Sequence, residues 1–292
     1  MTAVIPTACR PEVVRAVQSA RQQDYEADIE VIVVVDRAGA VAPSVLRQQA
    51  DQLLFSDGGG AAAARNLGAA AASTEIVAFL DDDDEWDTAK TARQAPEVTK
   101  GAGVVSSRVR MIKDGLVQAH GVPHSIIGPR DMVDNYLFRR RRPGAGRASL
   151  YTSTLMAHAS VIKQVPWRDG LRRHQDWDWL IRCQRAGYSV VQVPDELVSI
   201  HVGSAGSISA NADWESSLSW AVETLEDPRV RSDFLAAQTL RYALHARSRS
   251  GMFAVLNAIQ EGGAYPSPGP LAIGLAGVLS RSHLEKMMSW LH

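Results

Sequence analysis

Over the first eighty positions, apolar residues come in short runs parted by polar stretches rich in glycine and acid. Ala3-Val4-Ile5 predicts a buried strand reaching Thr7, and Pro11 to Arg21 a helix with proline in its first turn. Ile29 to Val35 reads as a β-branched run ending in Asp36, which suits a parallel strand buried on both faces. A helix from Pro43 to Ala50 and a short strand at Leu53-Leu54-Phe55 follow. Gly58-Gly59-Gly60 then opens an alanine-rich helix through Ala72, and a strand from Ile76 to Leu80 runs into Asp81-Asp82-Asp83-Asp84. This alternation predicts an α/β fold with a doubly wound sheet and ligands at the carboxyl ends of its strands.

The middle of the chain is less regular. Val104 to Met111 and Leu116 to Ala119 flank Lys113-Asp114-Gly115, a hairpin turn. Arg139 to Arg142 with Pro143-Gly144-Ala145-Gly146 reads as an exposed, mobile loop. Thr152 to His158 reads as a strand, Asp176 to Ala186 as a helix stopped by Gly187, and Val190 to Val193 and Leu197 to His201 as two short strands. From Ala212 onward the pattern is helical, broken at Asp227-Pro228 and at Pro266 to Pro270. The expected division is a domain over 1–211 and a helical appendage over 212–292. The appendage's apolar faces fit a helical cap, a homo-oligomer contact or a peripheral membrane contact, the last helped by Arg139 to Arg142.

Composition narrows the partners. At 292 residues, 46% hydrophobic and 22% charged, the chain can bury an ordinary core. A net charge of -1 offers no basic excess for a phosphodiester backbone, so nucleic acid is excluded as the expected partner. Cys9 and Cys183 fit no zinc or redox spacing. No basic leader precedes the first strand, and no run reaches roughly 18 apolar residues. The expected compartment is the cytoplasm, with the inner face of the membrane as the place of any surface contact.

Four consecutive aspartates after a buried strand carry the chemistry. Hard carboxylate oxygens at the sheet's carboxyl edge suit Mn²⁺ or Mg²⁺, whose charge would stabilise a departing diphosphate. Capping of the next helix, expected near Thr88, explains one or two acids but not the mutual repulsion of four. A competing pattern is Gly58, Gly60 and Ala63 as G-x-G-x-x-A, which would make the chain an NAD(P)-dependent oxidoreductase. That reading uses one acid and leaves the other three unexplained.

Four ordered blocks resemble glycosyltransferase family 2: Ile5-Pro6-Thr7, Glu30 to Asp36, Ala64-Arg65-Asn66-Leu67-Gly68, and Ala78 to Trp86. The resemblance covers roughly residues 1–205 and implies an inverting enzyme of GT-A type, a doubly wound mixed sheet flanked by helices. It implies a nucleotide-sugar donor held by Thr7, Asp36, Arg65, Asp81 and Asp82, with Asp83 on the metal. Two departures stand out: Ala8-Cys9 replaces the family's Tyr-Asn, and Val35-Asp36-Arg37-Ala38 lacks a second acid, so the nucleotide need not be the common uridine one.

His174-Gln175-Asp176-Trp177-Asp178 resembles the family's Glu-Asp-Trp-Asp block, with Gln175 in place of the first acid. Asp176 then takes the position of the catalytic base that accepts the acceptor hydroxyl's proton. The blander alternative makes it a helix N-cap. Trp177 is the candidate face for the acceptor and Trp179 a core residue. A lone His such as His201 is ordinarily structural, but the resemblance makes it a candidate second metal ligand, followed by a Gly/Ser stretch that could close over the donor. The acceptor itself, a glycan, a small molecule or a lipid-linked sugar, is not encoded in a readable motif. A non-catalytic nucleotide-sugar-binding module is the remaining alternative.

Overall fold

The computed structural model describes residues 1–37, 39, 42–139, 148–203 and 213–278. The chain divides into two compact units, Met1–Val133 with Gly146–Ala205, and Asp134–Ala145 with Gly206–His292. The expected boundary between 211 and 212 lies outside the described residues, as do residues 140–147 and 204–207 of the two expected loops.

In the first unit, β1 (Thr2–Thr7), β2 (Glu30–Asp36), β3 (Gln52–Ser56) and β4 (Ile76–Phe79) form a parallel block. With β5 (Glu85–Trp86), β6 (Val104–Lys113), β7 (Leu116–Val122), β8 (Met156–His158) and β9 (Val190–His201), the described sheet has the order β3-β2-β1-β4-β8-β6-β9-β5, and β7 pairs β6. β8 runs antiparallel to β4 and β6, while β6 and β9 are parallel, so the sheet is mixed. Helices α1 (Val13–Arg21), α2 (Ser44–Gln49), α3 (Gly60–Ala71) and α4 (Lys90–Thr99) connect the early strands, and α5 (Val133–Phe138) carries the chain out of this unit. After the return, α6 (Ala159–Gln164) and α7 (Gln175–Arg185) precede β9.

The sequence of β2 shows why the block is double-faced. Val31 and Val33 pack in one cluster with Val13 and Val17 of α1, while Ile32 and Val34 pack on Ala64 of α3. Alternate side chains of a strand point to opposite faces, so an all-apolar run needs a helix on each. On the α3 side the approach is close enough to require glycine. A Cβ at Gly68 would sit 2.5 Å from Val4 Cγ1.

The hairpin turn forms as expected, with Asp114 and Gly115 both at positive φ, 52° and 77°. Two expectations are corrected. Thr152 to His158 is not one strand: Thr152–Thr154 is a 3-10 turn and only Met156–His158 pairs. The hydroxyl of Thr154 donates to Tyr151 O at 2.6 Å, so a side chain competes for the backbone and tightens the turn. Val190 to His201 is a single strand, whose register against β6 slips opposite Ser107 to Val109 and so absorbs Pro194 without ending the pairing.

In the second unit lie α8 (Trp214–Thr224), α9 (Pro228–Phe234), α10 (Leu240–His245), α11 (Arg249–Glu261) and α12 (Pro268–Leu275), with a π-helical turn over Leu235–Thr239. Asp227 caps α9 by accepting from the N–H groups of Arg229 and Val230, and Pro228 supplies the fixed φ of the first helical position. Phe138, Trp220 and Phe234 meet edge to face at 4.9–6.1 Å in its core. No described helix is long and apolar enough to cross a membrane.

Candidate active site

The parallel block brings the sequence-predicted acids to one edge. Thr7 ends β1, Asp36 ends β2 beside Ser56 of β3, and the four aspartates follow β4. The Thr7 hydroxyl donates to Asp82 Oδ2 at 2.6 Å and accepts the N–H of Cys9 at 2.9 Å, which helps hold Cys9 at a φ of 64°. Asp36 accepts the Ser56 hydroxyl at 2.7 Å. Asp82 is 3% exposed, and burial pushes its carboxyl above the usual range against the hydrogen bonds of Arg10 and Thr7.

Among the described residues three arginines meet this edge, of which the family resemblance points to Arg65 alone. Arg10, in the loop after β1, forks onto Asp82 through two nitrogens and reaches Asp83 Oδ2 at 3.2 Å. Arg15 of α1 donates to the backbone carbonyl of Asp83 at 3.0 Å and pairs Glu85 at 3.0 Å. Arg65 of α3 is 4% exposed, donates to Asp81 Oδ1 at 2.6 Å and to Gln175 Oε1 at 2.9 Å, and lies over the Trp167 ring. The signal for Arg10 was available, since a long cation three residues past a strand end stands at the edge where ligands bind.

Among the described residues, no three His, Cys, Asp or Glu side chains converge as a ready-made metal cage. The donor set nonetheless fits a hard divalent ion. Asp82 and Asp83 offer carboxylate oxygens toward a shared cation, Arg10, and such ions are commonly held by one or two carboxylates plus substrate phosphates.

The fourth aspartate turns inward. Asp84 is 5% exposed, accepts the Ser153 hydroxyl at 2.6 Å and the His201 N–H at 3.0 Å, and is pushed well above the usual range, chiefly by burial. It ties β4's end to β9's end. The His201 ring goes to Glu85, with Nε2 2.7 Å from Oε1, rather than to Asp83.

On the other side, α7 presents Asp176. The cap position belongs to His174, at a φ of 60°, so Asp176 stands inside the first turn and is not the N-cap. Its Oδ1 accepts the N–H of Trp177 at 2.9 Å. Crowding by protein atoms pushes its pKa up to about 6, while the Trp177 N–H and Arg65 pull it down. Trp177 stacks on the His174 ring at 4.8 Å. Trp179 is fully buried and stacks on Trp167 at 4.7 Å. Asp178 is also fully buried, paired with Arg182 at 2.7 Å and Arg168 at 3.2 Å.

The two sides are joined through α3. Arg65 bridges Asp81 to Gln175, and Asn66 holds the Trp167 backbone both ways, Nδ2 donating to its carbonyl at 2.8 Å and Oδ1 accepting its N–H at 2.9 Å. The competing dinucleotide pattern does not fit this topology. Its glycines follow β3, at the edge of the parallel block, whereas that fingerprint belongs after the central first strand.

The sheet is of a mixed α/β type with acids at its carboxyl edge, and residues 2–162 match the family described as Glycosyl transferase family 2. The chain belongs to that family. A relative is the amylovoran biosynthesis glycosyltransferase AmsB of Erwinia amylovora, 26% identical over 176 residues, 56% of each chain. The chain thus spans little more than half of that relative's length. Among solved structures, S. aureus TarS 1-349 in complex with UDP-GlcNAc superposes with a TM-score of 0.63 at 15% identity, covering 89% of this chain and 80% of that one. Mannosyltransferase PcManGT from Pyrobaculum calidifontis, in complex with GDP-Man and Mn²⁺, gives 0.59 at 18% identity, covering 98% and 82%. These likenesses establish the GT-A type of fold, a mixed sheet flanked by helices.

Proposed function

We propose that this chain moves a sugar from a nucleoside diphosphate sugar to an acceptor hydroxyl, with inversion at the anomeric carbon. The observation that carries the proposal is the bridge from Asp81 through Arg65 to Gln175, which fixes the acid edge and Asp176 in one frame. The ligands named for the two superposed structures, UDP-GlcNAc and GDP-Man, support a nucleotide-sugar donor of one kind or the other.

In this reading Thr7 and Asp36 border the nucleotide, and Asp81 and Asp82 border its ribose and phosphates. Arg65 acts through Asp81 and Gln175 as a positioning residue. Asp83 would hold a divalent ion beside Asp82, and the His201 ring would have to leave Glu85 to join it. A bound ion would neutralise charge growing on the diphosphate. Asp176 accepts the proton of the acceptor hydroxyl at its carboxylate as that oxygen attacks the anomeric carbon. A pKa of about 6 keeps it ionised at neutral pH yet basic enough to take a proton. Trp177, stacked on His174, borders the acceptor. The catalytic role falls to the first unit, Met1–Val133 with Gly146–Ala205.

A thermal-shift panel of nucleotide-sugars with and without Mn²⁺ tests the donor reading. Stabilisation by at least one nucleotide-sugar, increased by Mn²⁺, is expected. No shift with any of them would overturn it.

A further inference from the structure

The acid edge already contains a cation. The Arg10 guanidinium spans Asp82 and Asp83, with Nε 3.3 Å from Asp82 Oδ2 and another nitrogen 3.2 Å from Asp83 Oδ2. We infer that Arg10 is a resident counter-cation that a divalent ion must displace to reach Asp82 and Asp83, so that Arg10 sets how weakly the free protein holds metal. This rests on the reading of that edge as the metal-bearing part of a nucleotide-sugar site.

Exposure separates the partners. The Arg10 side chain is 32% exposed, against 4% for Asp82 and 16% for Asp83. The Asp82 carboxylate and the Asp83 backbone are also held from elsewhere. Thr7 donates to Asp82 Oδ2 at 2.6 Å, and Arg15 grips the backbone carbonyl of Asp83 at 3.0 Å. Arg10 sits in the loop after β1 and is the most exposed of the three side chains, so in this inference the guanidinium yields and the carboxylates stay. A forked arginine–carboxylate pair is a strong competitor because its hydrogen bonds are charge-assisted.

The test is Mn²⁺ binding to the free protein, followed by the electron paramagnetic resonance signal of unbound Mn²⁺. Arg10→Met should bind Mn²⁺ roughly tenfold more tightly than wild type, equivalent to about 1.4 kcal/mol. Arg10→Lys, which keeps charge but not the fork, should fall between. Binding by Arg10→Met and not by wild type also supports the inference. Equal or weaker binding by Arg10→Met overturns it and leaves the metal reading standing. No binding by either protein, even with a nucleoside diphosphate added, overturns the metal reading as well. If Arg10→Met fails to fold, Arg10→Lys decides, since an affinity no higher than wild type contradicts displacement.

Discussion

Asp176 and Asp178 lie two positions apart on one helix and have opposite environments. Asp178 is fully buried against Arg182 and Arg168, where its ion pairs are structural. Asp176 has a backbone N–H and a more distant guanidinium, and burial raises it to about 6. The sign of that shift gives a prediction about stability. A carboxyl raised from 3.8 to about 6 makes the native state bind more protons than the unfolded state across that window, so stability falls as pH rises through it. Asp176→Asn should therefore melt at a higher temperature than wild type at pH 7, and the difference should vanish near pH 4. A melting temperature that falls at pH 7 would mark the residue as structural. For the transfer itself, the same pKa predicts kcat/KM dropping about tenfold per pH unit below about 6.

At the scale of elements, the block 64–68 of α3 does three tasks in five residues: Gly68 allows close approach to β1, Arg65 reaches both sides of the site, and Asn66 clasps the Trp167 backbone. Gly68→Ala should cost about 1–3 kcal/mol in urea unfolding, since the new methyl overlaps Val4. No change would mean that α3 shifts freely. Helix α4 begins with an unusual residue. Lys90 is fully buried with its Nζ 4.3 Å from the Trp86 ring centroid and no hydrogen-bond partner among the described residues, and burial pushes its pKa down to about 7. Unfolding lets it rebind a proton between about pH 7 and 10, so stability should rise with pH there, at most by about 1.4 kcal/mol per unit. Lys90→Met should be more stable than wild type at pH 7 and lose that slope from pH 7 to 9. A slope unchanged in Lys90→Met would show that the charge is accommodated by Trp86.

For the whole molecule, the sequence pattern made the parallel block legible because continuous apolar runs, such as Val31 to Val35, have few alternatives to a doubly covered strand. The acid edge was legible for the same reason, since a strand end fixes where Asp81 begins. What escaped were features set by distant partners. Nothing local distinguishes Asp84 from Asp83; only Ser153 and the end of β9 turn it inward. Gln175 shows its link to the acid edge only when folding brings it to Arg65, 110 residues away. The segment Asp134–Ala145 belongs with the helical unit through contacts such as Phe138 on Phe234, which no linear pattern reveals.

The central claim, a positioned base working across from a nucleotide-sugar site, is tested most directly by one paired measurement on Asp176→Asn: the steady-state sugar-transfer rate, with the donor dissociation constant determined by calorimetry on the same protein. Asparagine keeps the size of the side chain and an oxygen for the Trp177 N–H, but cannot take the acceptor's proton. The account predicts a rate lower by roughly 10²- to 10⁴-fold with donor affinity changed less than about threefold. Transfer at near wild-type rate, or loss of donor binding in a protein that remains folded, would contradict it.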